Sequence, residues 1–136
     1  MRYLAIDYGI KRTGLAVCDA GETIASPLKV LQGQRRLVEE IEQIVTSENI
    51  EGIVLGLPLN MDGSQGPQAR QVLAFADRLK QRLAIPIHLQ DERLSSFGAE
   101  EKLQTTGLSR SKRREWLDAL AAAEILQAFL DQRRQG

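Results

Sequence analysis

The sequence predicts an α/β fold with a mixed five-stranded sheet, built from an antiparallel three-strand meander and two strand–helix units, with helices on both faces. The opening part of the chain carries short apolar runs separated by turn residues, which is typical of strands and hairpins. Later segments alternate between short apolar runs and helical periodicity, which is typical of strand–helix units. With 136 residues, 43% hydrophobic and 26% charged, we expect a single domain over residues 1–136.

The meander is predicted from three apolar runs. These strands cover residues 2–8, 13–18 and roughly 23–30, and residues 19–22 (DAGE) form a plausible hairpin turn. Pro27 has no backbone N–H to donate, so it is expected at the end or edge of the third strand rather than in its middle.

The later elements follow from changes in apolar period. The remaining predicted elements, in chain order, are a helix over 34–48, a strand over 52–57, a helix from Pro67, a strand over 85–90, a helical segment from about 97 and a last helix over about 112–133. The run at 52–57 is apolar without alternation, which indicates a strand buried on both faces.

Composition excludes several classes of protein. Lys+Arg and Asp+Glu number 18 each, so any nucleic-acid surface must come from a local basic face. The one cysteine, Cys18, rules out an internal disulfide and a cysteine-rich zinc site. No apolar run approaches the roughly 18 residues of a membrane span, so we expect neither signal peptide nor membrane association, and a cytoplasmic location.

The first strand ends abruptly at Asp7, where a glycine-rich turn follows. A carboxylate at the end of a buried strand is unfavourable unless something pairs with it, and a metal ion is one such partner. The alternative is a turn aspartate that accepts hydrogen bonds from its own backbone.

Further carboxylates are expected at the same edge of the sheet. Asp91 and Glu92 end the fifth strand, and Asp118 lies early in a helix rich in small residues. If the strands ending at Asp7 and Asp91 are central, their carboxyl ends meet in one crevice. For Asp118 the alternative is charge compensation at a helix N-terminus. His88, the only histidine, is interpreted as structural.

Three carboxylates without a competent histidine or cysteine point to a divalent cation. Hard oxygen ligands suit Mg²⁺ or Mn²⁺. With no side-chain base in evidence, metal-assisted phosphodiester hydrolysis is the chemistry that such a set favours.

Four segments together resemble one known family, across nearly the whole chain and in order. They are DYGIKRTGLA at 7–16, GLPLNMDGS at 56–64, DERLSS at 91–96 and DALAA at 118–122. The chain is thereby identified as similar to the YqgF/RuvX family, Holliday-junction-resolvase-like proteins with an RNase H-like fold that are thought to be pre-16S rRNA nucleases.

That resemblance implies a site and an activity. It implies that Asp7, Glu92 and Asp118 are catalytic and bind the metal. Asp91 is a further metal candidate, although adjacent strand residues point to opposite faces. The implied activity is cleavage of phosphodiester bonds at the 5′ end of pre-16S rRNA in ribosome biogenesis. The alternative substrate is branched DNA, cut as by a Holliday-junction resolvase.

Basic residues near these motifs are candidates for contacting nucleic acid. The set comprises Lys11, Arg12, Arg93, Arg110, Lys112, Arg113 and Arg114. Expected partners are structured nucleic acid, either precursor rRNA or branched DNA, and ribosomal particles. The protein is expected to be a monomer or a homodimer, since resolving a junction needs two symmetric cuts.

Two other functional classes fit parts of the pattern. Sugar and acetate kinases open with a similar Asp-x-Gly turn, but they clamp nucleotide between two such domains, and this chain has room for one. A non-catalytic RNA- or ribosome-binding factor would not need the full carboxylate set.

Overall fold

The computed structural model describes residues 1–94 and 110–135, and the side chains of residues 94 and 110–115 lie outside this description. The elements are β1 (Tyr3–Asp7), β2 (Arg12–Cys18), β3 (Ala25–Gln32), α1 (Leu37–Ser47), β4 (Gly52–Leu57), α2 (Pro67–Arg82), β5 (Ile87–Asp91), a 3₁₀ turn (Glu92–Leu94) and α3 (Arg110–Gln135).

The strands form one sheet in the order β3-β2-β1-β4-β5. β1 pairs antiparallel with β2, and β2 with β3, whereas β1–β4 and β4–β5 are parallel. The predicted mixed sheet is therefore confirmed, and Pro27 lies near the start of β3, which is an edge strand. β1 is the central strand. Asp7, its last residue, therefore lies midway along the side of the sheet where the parallel strands β1, β4 and β5 end.

Helices α1 and α2 cover one face of the sheet through large apolar side chains. This face is built from residues that are almost fully buried, among them Leu4, Ile6, Leu15, Ile53, Leu55, Ile41, Phe75 and Leu79. In α2 the proline at 67 occupies the helix start, where its missing N–H would have no partner within the helix.

Helix α3 covers the opposite face, where large side chains such as Leu126 and Phe129 pack together with several much smaller residues. Ala5 and Ala16 of the sheet pack against Ala122 and its neighbours in α3. A β-carbon added to Gly14 of β2 would overlap the backbone carbonyl of Asp118. The helix backbone consequently lies directly on the sheet, which confirms helices on both faces and places Asp118 beside β1.

Two expectations need correction or lie outside the described residues. The helical segment expected from about 97 lies outside the described residues, whereas α3, described over Arg110–Gln135, confirms the last helix predicted over about 112–133. β5 is an edge strand, not a central one, so Glu92 must reach the centre of the sheet by another route. Across 1–94 and 110–135, no helix combines the length and apolarity that a bilayer span requires.

Candidate active site

Asp7 and Glu92 form a carboxyl pair at the carboxyl edge of the sheet. The protonated Asp7 carboxyl donates a hydrogen bond to Glu92. Burial, then the negative charges of Glu92 and Asp118, raise the pKa of Asp7 to about 8. Burial also raises the pKa of Glu92. Because neither group is well hydrated, the pair holds a proton where two exposed carboxylates would hold none.

Glu92 reaches Asp7 by passing over the strand that separates them. It begins the 3₁₀ turn after β5, and β4 lies between β5 and β1. A β-carbon on Gly56 of β4 would lie 2.5 Å from Glu92 Oε1 and 2.6 Å from Ile125 Cδ1. Gly56 thus leaves the space that brings an edge-strand carboxylate to the central strand.

Asp118 is held next to this pair by close packing of α3 on β2. Gly14, whose missing side chain admits the Asp118 backbone, is also the β-ladder partner of Asp7. The charge of Asp118 contributes to the raised pKa of Asp7. Its own carboxylate accepts a hydrogen bond from Arg12 Nε at 2.8 Å, with both side chains partly exposed.

The three carboxylates therefore share one region but do not form a closed cage. Among the described side chains, no three Asp, Glu, His or Cys residues are arranged closely enough to hold a metal ion. Asp7 and Glu92 share a proton, and the Asp118 carboxylate forms an ion pair with Arg12. The donor set still suits a hard divalent cation, since such a cation would replace that proton and relieve the desolvation of two carboxylates.

Asp91 points away from this pair. Its carboxylate accepts hydrogen bonds from the Arg93 side chain at 2.7–3.1 Å, and these bonds lower the pKa of Asp91. Arg93 Nη1 also donates to the Met61 carbonyl at 3.1 Å. The Asp91–Arg93 pair therefore fastens the 58–66 loop to the end of β5, and Glu92 is the member of the acidic dipeptide that faces Asp7.

Hydrogen bonds to Gln34 hold the turn after β1 in place. Gln34 Nε2 donates to the carbonyls of Gly9 and Ile10, and the Tyr8 hydroxyl donates to Gln34 Oε1 at 2.7 Å. Lys11 is exposed beside this turn. Gln34 was not singled out by the sequence, because a lone glutamine between a strand and a helix carries no periodic signal.

A cleft of about 400 Å³ opens from the carboxyl pair toward the start of α2. We call it the α2 cleft. Asp7, Glu92, Lys11, Gln68 and Gln71 are among the residues that line it. Sequence reasoning did not assign a role to either glutamine.

The other expectations for basic and aromatic residues have mixed outcomes. The side chains of Arg110, Lys112, Arg113 and Arg114 lie outside the described residues, so their contact with nucleic acid stays a prediction. Trp116 is 38% exposed. It lines a groove of about 330 Å³ beside β3. His88 packs among Tyr3 and Phe129, as a structural residue would.

Comparison with known proteins places the chain among relatives over its full length. Residues 1–132 match the family described as RuvX, Holliday junction resolvase. A protein of Maridesulfovibrio salexigens, named as a predicted pre-16S rRNA nuclease, is 44% identical over 132 residues, covering 96% of this chain and 98% of the relative. A like-named protein of Anaeromyxobacter sp. strain K is 45% identical over 137 residues, covering 98% of each.

Solved structures share the fold at low sequence identity. RuvC of T. thermophilus, in complex with a Holliday junction substrate, aligns with a TM-score of 0.64 and 16% identity, over 100% of this chain and 97% of RuvC. The Fowlpox virus resolvase bound to Holliday junction DNA aligns with a TM-score of 0.61 and 10% identity, over 98% and 99%. The fold is thus RNase H-like, as expected, and the chain belongs to the RuvX family.

Proposed function

We propose that the protein is a metal-dependent nuclease that hydrolyses a phosphodiester bond near the 5′ end of pre-16S rRNA. The observation that carries this proposal is the desolvated Asp7–Glu92 pair, with Asp118 beside it at one sheet edge. The names of relatives 44–45% identical over nearly the full chain support the substrate. We place the protein in the cytoplasm with precursor ribosomal particles as partners.

The metal is proposed to be Mg²⁺ or Mn²⁺, held by Asp7, Glu92 and Asp118. When bound, it would supply charge stabilisation at the phosphate and an activated water. Asp7 and Glu92 would hold it as carboxylates, so its binding would release their shared proton. Asp118 must exchange Arg12 for the cation, which frees the guanidinium to hold a phosphate oxygen of the substrate.

Lys11 is proposed to contact a phosphate that flanks the cleavage point. It is exposed, carries a flexible cation and stands at the mouth of the α2 cleft. The Arg93 guanidinium already donates hydrogen bonds to Asp91 and to carbonyls of the 58–66 loop. We propose that it orders the 58–66 loop and contacts nucleic acid only through that loop.

The test is a cleavage assay on a 5′-extended 16S precursor with Mg²⁺ or Mn²⁺. We expect Asp7→Asn and Asp118→Asn to lower kcat by at least about 100-fold, because each removes an anionic ligand of a metal that stabilises the transition state. Asp77→Asn is the matched control, since Asp77 is exposed on α2 and away from the site. Equal cleavage by the parent and the Asp7 and Asp118 variants would refute the assignment of the site.

A four-way DNA junction is the second substrate for this assay. The family description names a Holliday junction resolvase, so branched DNA is the competing substrate. Preference for the junction, with paired cuts by a homodimer, would replace the rRNA proposal while leaving the carboxylate site intact.

A further inference from the structure

The α2 cleft joins the carboxyl pair to a wall that contains two neutral amides. Gln68 and Gln71 are three residues apart in α2, so they lie on the same side of that helix. Both residues line the cleft together with Asp7 and Glu92. At about 400 Å³, the cleft lies within the range of roughly 300–1,000 Å³ that is usual for small-molecule sites.

The polar groups of this wall have no partners within the described part of the chain. Neither glutamine amide takes part in a hydrogen bond there, and the Lys11 ammonium makes no ion pair there. Of the other described cations near the site, Arg12 binds Asp118 and Arg93 binds Asp91. Within this part of the chain, the cleft therefore offers the Lys11 ammonium and two glutamine amides to a ligand.

The apolar parts of the cleft complement these polar groups. Pro58, Val72 and Ile10 contribute to its lining, and Ile10 is 59% exposed. Apolar surface suits the face of a nucleobase, whereas amides suit its hydrogen-bonding edge. A cation at the same cleft suits the phosphate of that nucleotide.

We propose that the α2 cleft binds the single nucleotide next to the scissile phosphate, and that Gln68 and Gln71 read its base. Lys11 holds the phosphate of that nucleotide. This inference deepens the proposed nuclease function and rests on it for the identity of the ligand. According to this inference, base preference at one position next to the cut depends on Gln68 and Gln71. Neither glutamine makes a hydrogen bond to the carboxylates within the described part of the chain.

The first test measures base preference at the cut. The substrate is the 5′-extended 16S precursor with randomised positions on both sides of the cleavage point, and the products are sequenced. We expect the parent to favour particular bases at one adjacent position. Gln68→Leu and Gln71→Leu should reduce that bias at least threefold at this position only. Gln43→Leu, an exposed glutamine on α1, is the control and should leave the bias unchanged.

An absence of bias in the parent, or an unchanged bias in both Leu variants, would overturn the inference. A second test does not depend on cleavage. The four nucleoside 5′-monophosphates are titrated into the protein, and binding is followed by NMR of the glutamine side-chain amides. We expect Lys11→Gln to weaken all four nucleotides alike, and Gln71→Leu to change their ranking.

The two tests separate the inference from the function beneath it. Base-ranked nucleotide binding in a protein that cleaves neither RNA nor DNA would refute the nuclease proposal and retain the cleft as a nucleotide site. If the protein cleaves its substrate but substitutions at Lys11 and both glutamines leave nucleotide binding unchanged, the proposed role of the cleft is refuted. The nuclease proposal is then retained.

Discussion

The two faces of the sheet are packed in different ways. Toward α1 and α2, side chains such as Ile6, Leu55 and Phe75 interdigitate and keep the helices at a full side-chain distance. Toward α3, glycine and alanine let the helix backbone lie on the strands. Both faces bury apolar side chains, but only the second brings a helical aspartate to the end of the central strand.

This difference indicates that stability and site assembly are supported by different faces. A change on the α1–α2 face should alter the free energy of unfolding and leave activity largely intact. A change of similar size on the α3 face should move Asp118 or Glu92 and alter activity more than stability. Four measurements test this division, from the largest expected effect to the smallest.

Gly14→Ala should have the largest effect on activity. Its β-carbon would collide with the Asp118 backbone, so α3 must shift. We expect kcat/KM to fall about 100-fold, as for a displacement of about 1 Å in a reacting group, with a loss of about 1–3 kcal/mol in stability. Ile53→Val on the other face is the control. It should lower stability by about 0.5–1.5 kcal/mol with kcat/KM unchanged, and a larger loss of activity in Ile53→Val would contradict the division.

Gly56→Ala should have the second-largest effect, because its β-carbon meets the flexible end of Glu92 rather than backbone. We expect kcat/KM to fall about tenfold, equivalent to about 1.4 kcal/mol of transition-state stabilisation. The matched control is Gly52→Ala at the other end of β4, where the added carbon presses on the Tyr3 ring. It should reduce the thermal midpoint without changing kcat/KM, and equal kinetic losses in both variants would argue against a specific effect on Glu92.

Stability without metal should fall as the pH rises. The pKa of Asp7 is about 8 in the folded protein and about 3.9 in an unfolded chain. Between these values the folded state holds a proton that the unfolded state has released, so increasing pH favours unfolding. The stabilisation that this proton contributes is complete below about pH 4 and is lost by about pH 8. Between these values the free energy of unfolding falls by up to about 1.4 kcal/mol per pH unit.

Urea denaturation between pH 5 and 8 in the presence of a chelator measures this slope. Asp7→Asn should flatten it, whereas Asp77→Asn should preserve it. Added Mn²⁺ should also flatten the parent's slope, since a bound cation replaces the proton. Identical slopes in the parent and Asp7→Asn would show that Asp7 is not the group responsible.

Arg12→Gln should have the smallest effect, and in the opposite direction. Removing the guanidinium frees the Asp118 carboxylate for a cation. We expect the Kd for Mn²⁺ to tighten by up to about fivefold, which corresponds to about 0.2–1 kcal/mol for a partly exposed ion pair. Calorimetric titration measures this Kd. Arg93→Gln, which removes an ion pair outside the site, is the control. Weaker Mn²⁺ binding in Arg12→Gln would mean that Arg12 supports the metal site rather than competing for it.

Much of the fold could be predicted because its signals are periodic. The apolar strand at 52–57, the helix beginning at Pro67 and the carboxylate that ends β1 all appear where the sequence indicated. The choice between Asp91 and Glu92 could not be made by strand alternation, since the chain enters a 3₁₀ turn at Glu92. That turn, together with the space above Gly56, decides which carboxylate reaches Asp7.

The contacts of Arg12 and Trp116 could not be predicted for a different reason. Arg12 meets a residue 106 positions away, and no local pattern encodes such a pairing. Trp116 lies on a helix with one buried face, and its exposure depends on where α3 passes β3. Both depend on tertiary placement rather than on spacing along the chain.

The exposure of Trp116 has a practical consequence. It is the only tryptophan of the chain, and it lies two residues before Asp118 on the same helix, facing an open groove. Its fluorescence should therefore change whenever α3 shifts, Asp118 exchanges its partner or nucleic acid enters that groove. The unlabelled protein thus contains its own optical probe of site assembly.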